Sequence, residues 1–233
     1  MIVLTIDTSE RRGSVAVLRD GEAVALRRHE SSVDYSVWLL PKVEEVLAEA
    51  QSRMEDVDLL AVATGPGSFT GLRVGLTTVK AWTEVYGKPV VGVSRLEAMA
   101  RFCRGTPGLV AAFYDAQRGQ LFGGLYRSLP GRLERVGEEV VIAPEGLLEW
   151  VDKEAGEESV SWISPDPEVV TGLPGWKRRL ERGDTMGKCV PELAPAIGIL
   201  AEERAGRGEY SDALELDANY VRRSDAEIFW KGR

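Results

Sequence analysis

The run Val57-Asp58-Leu59-Leu60-Ala61-Val62-Ala63-Thr64-Gly65-Pro66-Gly67-Ser68-Phe69-Thr70-Gly71-Leu72-Arg73-Val74-Gly75 joins three readable pieces. Apart from Asp58 and Thr64, residues 57–64 are apolar without alternation, as expected of a strand covered on both faces. Residues 65–71 carry three glycines and a proline and form the turn. From Leu72 to Tyr86 the spacing predicts a helix, which Gly87-Lys88-Pro89 stops before a second buried strand over 90–93. A buried strand, a glycine turn, a helix and another buried strand describe a parallel crossover.

Upstream, residues 2–7, 14–18 and 23–28 read as an antiparallel meander with a turn at Asp20-Gly21. A helix over 35–50 follows, with Leu39, Val43, Val46, Leu47 and Ala50 at helical spacing and Pro41 placed early or forcing a kink. Trp38 and Leu40 lie off that stripe, leaving this helix a second apolar face for another chain. The order β-β-β-α-β-α-β gives a mixed sheet, the unit of the actin and hexokinase superfamily. After Arg104-Gly105-Thr106-Pro107-Gly108 the pattern restarts. Strands are expected over 109–114, 120–126 and 133–142, and a short helix over 144–151. The stretch 154–187 offers only short strands, and a helix is expected over 190–205. The fold class is therefore α/β, a two-lobed actin/hexokinase-like (ASKHA) fold with a duplicated unit whose second copy is degenerate. The division is residues 1–104 as first lobe, 105–212 as second lobe, and 213–233 as a tail packing back on the first.

Composition narrows the function classes. The 233 residues are 44% apolar with a formal net charge of −8, enough for a sizeable core and without the basic footprint that neutralises nucleic-acid phosphates. Cys103 and Cys189 lie far apart, in no zinc-ligand or disulfide pattern. The start of the chain lacks a basic leader and no apolar run reaches membrane-spanning length, so a soluble cytoplasmic protein is expected. Ser-His-Asp chemistry would depend on the single histidine, His29, which sits among Arg27, Arg28 and Glu30 as a solvated strand residue would.

Two motifs could carry chemistry. The turn 65–71 opens a helix, where backbone N–H groups and the helix dipole receive anions; Gly65, Gly67 and Ser68 are the phosphate-loop candidates. No Gly-Lys-Ser/Thr follows, so it is not a Walker A loop, and a tight turn with closely packed glycines explains it equally. Asp7-Thr8-Ser9, ending the first strand, resembles the first phosphate motif of the superfamily, or Asp7 simply caps the turn. A second aspartate motif is missing: Asp115 stands at a plausible height, but Ala116-Gln117-Arg118 replaces the expected glycine.

From Ala63 to Gly75 the chain resembles the G-x-G-P-G-S-F-T-G-[LV]-R-[IV]-G signature of the TsaB (YeaZ) family, with Ala63 in place of the first glycine. Ile6-Asp7-Thr8-Ser9, Asp115-Ala116-Gln117-Arg118-Gly119-Gln120-Leu121, and Tyr220-Val221-Arg222 with Asp225-Ala226 match in order. The catalytic relative TsaD carries a histidine pair one helical turn apart for its metal; here Arg95 and Met99 stand at those positions, and neither suits a hard divalent ion. The resemblance thus implies a subunit without catalytic or metal residues of its own, in synthesis of threonylcarbamoyladenosine next to the tRNA anticodon. It implies TsaD and the ATPase TsaE as partners, a homodimer in isolation, and tRNA met only through the complex. ATP or ADP lodged at the partner interface stays open. The helices over 35–50 and 72–86 are the implied contact, with Leu40, Val43, Val74, Thr78, Ala81 and Trp82 as interface candidates; plain core explains the same stripe. A small actin-like ATPase and a partner-directed peptidase are the alternatives.

Overall fold

The computed structural model describes residues 1–29 and 33–222. Arg223, Asp225 and Ala226, with the rest of the tail to Arg233, lie outside the described residues, as does Glu30. The chain forms two compact units, Met1–Arg95 joined by the segment from Pro191 onward, and Leu96–Val190.

The first unit begins with β1 (Ile2–Asp7), β2 (Ser14–Arg19) and β3 (Glu22–Arg28), paired antiparallel through the Asp20-Gly21 turn. Helix α1 (Tyr35–Glu49) leads to β4 (Leu59–Gly65), which pairs parallel with β1. Helix α2 (Phe69–Tyr86) leads to β5 (Val90–Ser94), parallel to β4, and the sheet order is β3-β2-β1-β4-β5. The alternation of β1 sorts its side chains: Leu4 and Ile6 join the core under α1 and α2 with Leu39, Val43, Leu72 and Leu76. Thr5 points to the other face, against Gly198. Helix α2 starts three residues earlier than its apolar spacing indicates, because the Ser68 hydroxyl accepts from the Gly71 N–H at 3.3 Å and caps it. Such a cap contributes about 1 kcal/mol. Gly87 ends the helix in the left-handed conformation, φ +64°.

Helix α3 (Arg95–Ala100) carries the boundary into the second unit. There β6 (Gly108–Asp115), β7 (Leu121–Leu129) and β8 (Arg132–Ile142) form a meander, followed by α4 (Pro144–Ala155) and β9 (Val160–Ser164). The short helices α5 (Glu168–Thr171) and α6 (Trp176–Glu181) precede β10 (Thr185–Lys188), and the order is β10-β9-β6-β7-β8. These two helices were not expected from 154–187, whose glycines, prolines and charges hide any period. Buried Trp176 and Arg179 are what order α6: Arg179 bonds Asp184 at 2.6 Å through Nε and Asp152 at 2.6 Å through Nη1.

Helix α7 (Ala194–Gly206) packs on β1, β2, β4 and β5, so it belongs to the first unit and not to the 105–212 lobe in which the sequence division placed it. Among its buried residues Ala194, Ala196, Gly198 and Ala201 are small, beside Ile197 and Leu200, and Gly198 lets the helix lie close on Thr5 and Leu18. No helix of the described residues is long and apolar enough to cross a membrane.

Candidate functional site

Asp7 ends β1 with its side chain fully buried, and the Arg95 guanidinium from the start of α3 pairs with one carboxylate oxygen. The other oxygen accepts from the Ser9 hydroxyl at 2.5 Å and the Ser9 N–H at 3.0 Å. Arg95 is itself fully buried; its Nη2 also donates to the Pro191 carbonyl at 2.9 Å and meets the Glu10 carboxylate at 3.4 Å. A buried guanidinium thus follows β5, and that cation neutralises the Asp7 carboxylate. Tyr35 stands beside this cluster, donating to the Glu10 carbonyl at 2.5 Å and accepting from the Gly13 N–H at 3.0 Å. Burial first, and then the Asp7 carboxylate, push its hydroxyl well above the ordinary tyrosine range.

The glycine turn closes over the same loop. Ser68 N–H donates to the Ser9 carbonyl at 2.6 Å, and the Thr8 hydroxyl donates to the Gly71 carbonyl at 2.7 Å. A Cβ on Gly67 would lie 2.1 Å from the Ser9 carbonyl oxygen, and one on Gly71 the same distance from that of Thr8. These glycines are required by backbone approaching backbone, and Gly65 is the buried end of β4. Asp7, Thr8, Ser9, Gly65, Gly67 and Ser68 are therefore brought together as the sequence motifs indicate, but as an internally bonded junction. The Ser68 N–H, the Ser9 N–H and hydroxyl, and the Thr8 hydroxyl are engaged within the chain, and Thr8 and Ser9 are buried.

An open groove lies in the same unit. It has a volume of about 510 Å³ and runs between α1 and α2, lined by Tyr35, Leu39, Leu40, Phe69, Arg73 and Val74 with Ser36, Thr70, Thr77 and Thr78. Three of the six interface candidates, Leu40, Val74 and Thr78, line it; Leu40 is 51% exposed. Val43 is a correction: it is 4% exposed and part of the core, because it lies on the sheet-facing stripe of α1. Ala81 is exposed and Trp82 half-buried farther along α2, beyond the groove lining. Trp38, off the stripe, is nonetheless buried, with the His29 ring edge-on at 5.1 Å.

His29 offers no base to a nucleophile. Its two ring nitrogens lie 2.7 Å and 2.6 Å from the backbone carbonyl oxygens of Arg11 and Val33, and the ring stacks on Tyr35 at 4.0 Å. Among the described residues no group of three or more His, Cys, Asp and Glu side chains is placed to hold a metal ion.

A family model described as TsaD, tRNA N6-adenosine threonylcarbamoyltransferase, matches residues 29–164. Two relatives match over nearly their whole length, both named tRNA threonylcarbamoyladenosine biosynthesis protein TsaB. The protein from Bacillus subtilis (strain 168) is 29% identical over 99% of this chain and 98% of its own. That from Escherichia coli (strain K12) is 31% identical over 94% of this chain and 96% of its own. The chain belongs to the TsaB family. TsaB-family structures agree in fold: YeaZ from Pseudomonas aeruginosa superposes with a TM-score of 0.71 at 26% identity, over 94% of this chain and 99% of that one. The activator of 2-hydroxyisocaproyl-CoA dehydratase from Clostridium difficile reaches 0.52 at 11% identity, over 91% and 99%, which speaks to the fold alone. The fold is the actin/hexokinase-like α/β architecture read from the strand order. Membership of the TsaB family places the chain in tRNA threonylcarbamoyladenosine biosynthesis.

Residues missed by sequence reasoning are now plain. Arg95 registers in the sequence only as an absent metal ligand, although an arginine directly after a buried strand signals that a buried carboxylate awaits it. Tyr35, Phe69 and Arg73 carry no pattern that separates them from ordinary helix residues.

Proposed function

We propose that this TsaB-family chain is the non-catalytic subunit that binds and supports the transferase TsaD, together with the ATPase TsaE, in bacterial tRNA threonylcarbamoyladenosine synthesis. The observation that carries the reading is the buried Arg95–Asp7 pair, which puts a fixed cation where catalysis would need a metal and a free carboxylate. The groove between α1 and α2 is the docking surface, with Leu40, Val74 and Thr78 in contact and a second copy of the chain in the same place when the partner is absent. Ala81 and Trp82 extend that surface along α2. The net charge of −8 supports a subunit that meets tRNA only through the complex. ATP or ADP, in this reading, binds against the partner, since Asp7, Thr8, Ser9 and the turn 65–68 are engaged as a structural junction. The compartment is the cytoplasm, where the tRNA substrate is.

Size-exclusion chromatography with light scattering tests this, on the chain alone and mixed with the TsaD of the same genome. The expected result is a 1:1 species replacing a homodimer, and Leu40→Glu is expected to prevent both. Absence of any complex with TsaD, with or without nucleotide, overturns the proposal.

A further inference from the structure

We propose that Arg73 is the charged anchor of the docking groove, taking a carboxylate of the partner, and that Tyr220 of the C-terminal segment is the positioning residue that aims it. This rests on the reading of the groove as a docking surface. Arg73 is exposed, and among the described residues lining the groove it alone carries a charge. Its guanidinium carbon lies 3.7 Å from the centroid of the Phe69 ring, and its Nε donates to the Tyr220 hydroxyl at 3.3 Å. The Tyr220 ring in turn packs on Phe69, with centroids 5.1 Å apart.

An arginine stacked on one side and bonded through Nε has its two terminal nitrogens left, the end-on pair that fits a carboxylate. Neither meets an acidic group of the described residues, although the chain has 37 acidic residues against 29 basic ones. In so acidic a protein an unpaired, oriented cation at the mouth of an apolar groove is complementary to an apolar partner surface bearing an Asp or Glu.

Tyr220 can do this because the segment before it is tied to the core. Ser211 N–H donates to the Val90 carbonyl at 2.8 Å, Leu216 is buried in the cluster under α2, and Asn219 N–H donates to the Thr64 carbonyl at 2.7 Å. The strap crosses β5 and β4 and delivers Tyr220 to the first turn of α2, where Phe69 and Arg73 stand one helical turn apart. The Tyr220-Val221-Arg222 motif thereby acquires a role that its sequence alone does not express.

Binding of the TsaD of the same genome, measured by titration calorimetry at two salt concentrations, tests the inference with Arg73→Met, Tyr220→Phe, the double variant and Leu40→Glu. Arg73→Met is expected to weaken binding roughly thirtyfold or more and to flatten its salt dependence, as loss of a desolvated charge pair does. Tyr220→Phe keeps the ring and loses the acceptor; it is expected to weaken binding about threefold. In the Arg73→Met background Tyr220→Phe is expected to add nothing. Arg73→Met binding like wild type while Leu40→Glu abolishes binding would overturn the anchor and leave the docking surface standing. An equal Tyr220→Phe loss in both backgrounds would overturn the positioning role. If neither Leu40→Glu nor Arg73→Met changes the affinity, the docking surface itself is wrong.

Discussion

The two five-stranded sheets share a strand order, a central strand paired antiparallel on one side and parallel on the other, yet they end that strand differently. In the first unit β1 ends on Asp7, fully buried and held by Arg95. In the second, β6 ends on Asp115, which is exposed and accepts from its own neighbour Gln117, at 2.8 Å from both the backbone N–H and the side-chain amide. The helices differ in step. Where β4 is followed by an 18-residue helix seated on the glycine turn, β9 is followed by helices of four and six residues. A shared topology thus brings an aspartate to the same height twice, and the local helix packing decides whether it becomes a buried junction or an exposed turn.

The largest expected difference comes from the two aspartates. Asp7→Asn leaves the Arg95 charge buried without its principal partner and should cost about 3–5 kcal/mol in urea unfolding. Asp115→Asn should stay within about 0.5 kcal/mol. Replacing both members of the pair, Asp7→Leu with Arg95→Met, should recover most of the loss. Equal losses at Asp7 and Asp115 would show that burial does not separate the two strand ends.

Next come the glycines beside the helices that follow β4 and β9. Gly71→Ala sets a Cβ 2.1 Å from the Thr8 carbonyl and should destabilise by about 1–3 kcal/mol, while Gly172→Ala meets only the Glu168 carbonyl at 3.3 Å. Thermal unfolding of the two variants checks this, and a Gly71→Ala protein as stable as Gly172→Ala would mean the turn does not depend on that close approach.

The smallest effect belongs to the ionic network of the second unit. Burial alone would raise the Asp152 carboxyl, but the guanidiniums of Arg179, Arg178 and Arg182 outweigh it and hold the group below its usual range. A folded value below the unfolded one contributes stability that is present above about pH 4 and lost as the pH falls through the folded value. Asp152→Asn should therefore cost about 1 kcal/mol near neutrality, discounted for the exposed Arg178, and its difference from wild type should shrink on acidification. A difference that grows toward low pH would reverse the assigned direction.

Much of the molecule was determined by the sequence itself. Apolar runs without alternation marked β4 and β5, the Asp20-Gly21 turn marked the hairpin, and the glycine turn with its strand and helix marked the crossover, all from interactions within a few residues. The signature from Ala63 to Gly75 marked the family as one contiguous string, although the close approach that its Gly67 and Gly71 serve, to the backbone of Ser9 and Thr8, is made only in the fold. What the tertiary structure alone decided involves partners distant in the chain. It put α7 on the first sheet, made Val43 core, and paired Asp7 with Arg95, 88 residues away. It also carried Tyr220 to Arg73 across 147 residues. Periodicity reports which face of an element is apolar; which element covers that face, and which charge meets which, depends on contacts made only once the sheet has formed.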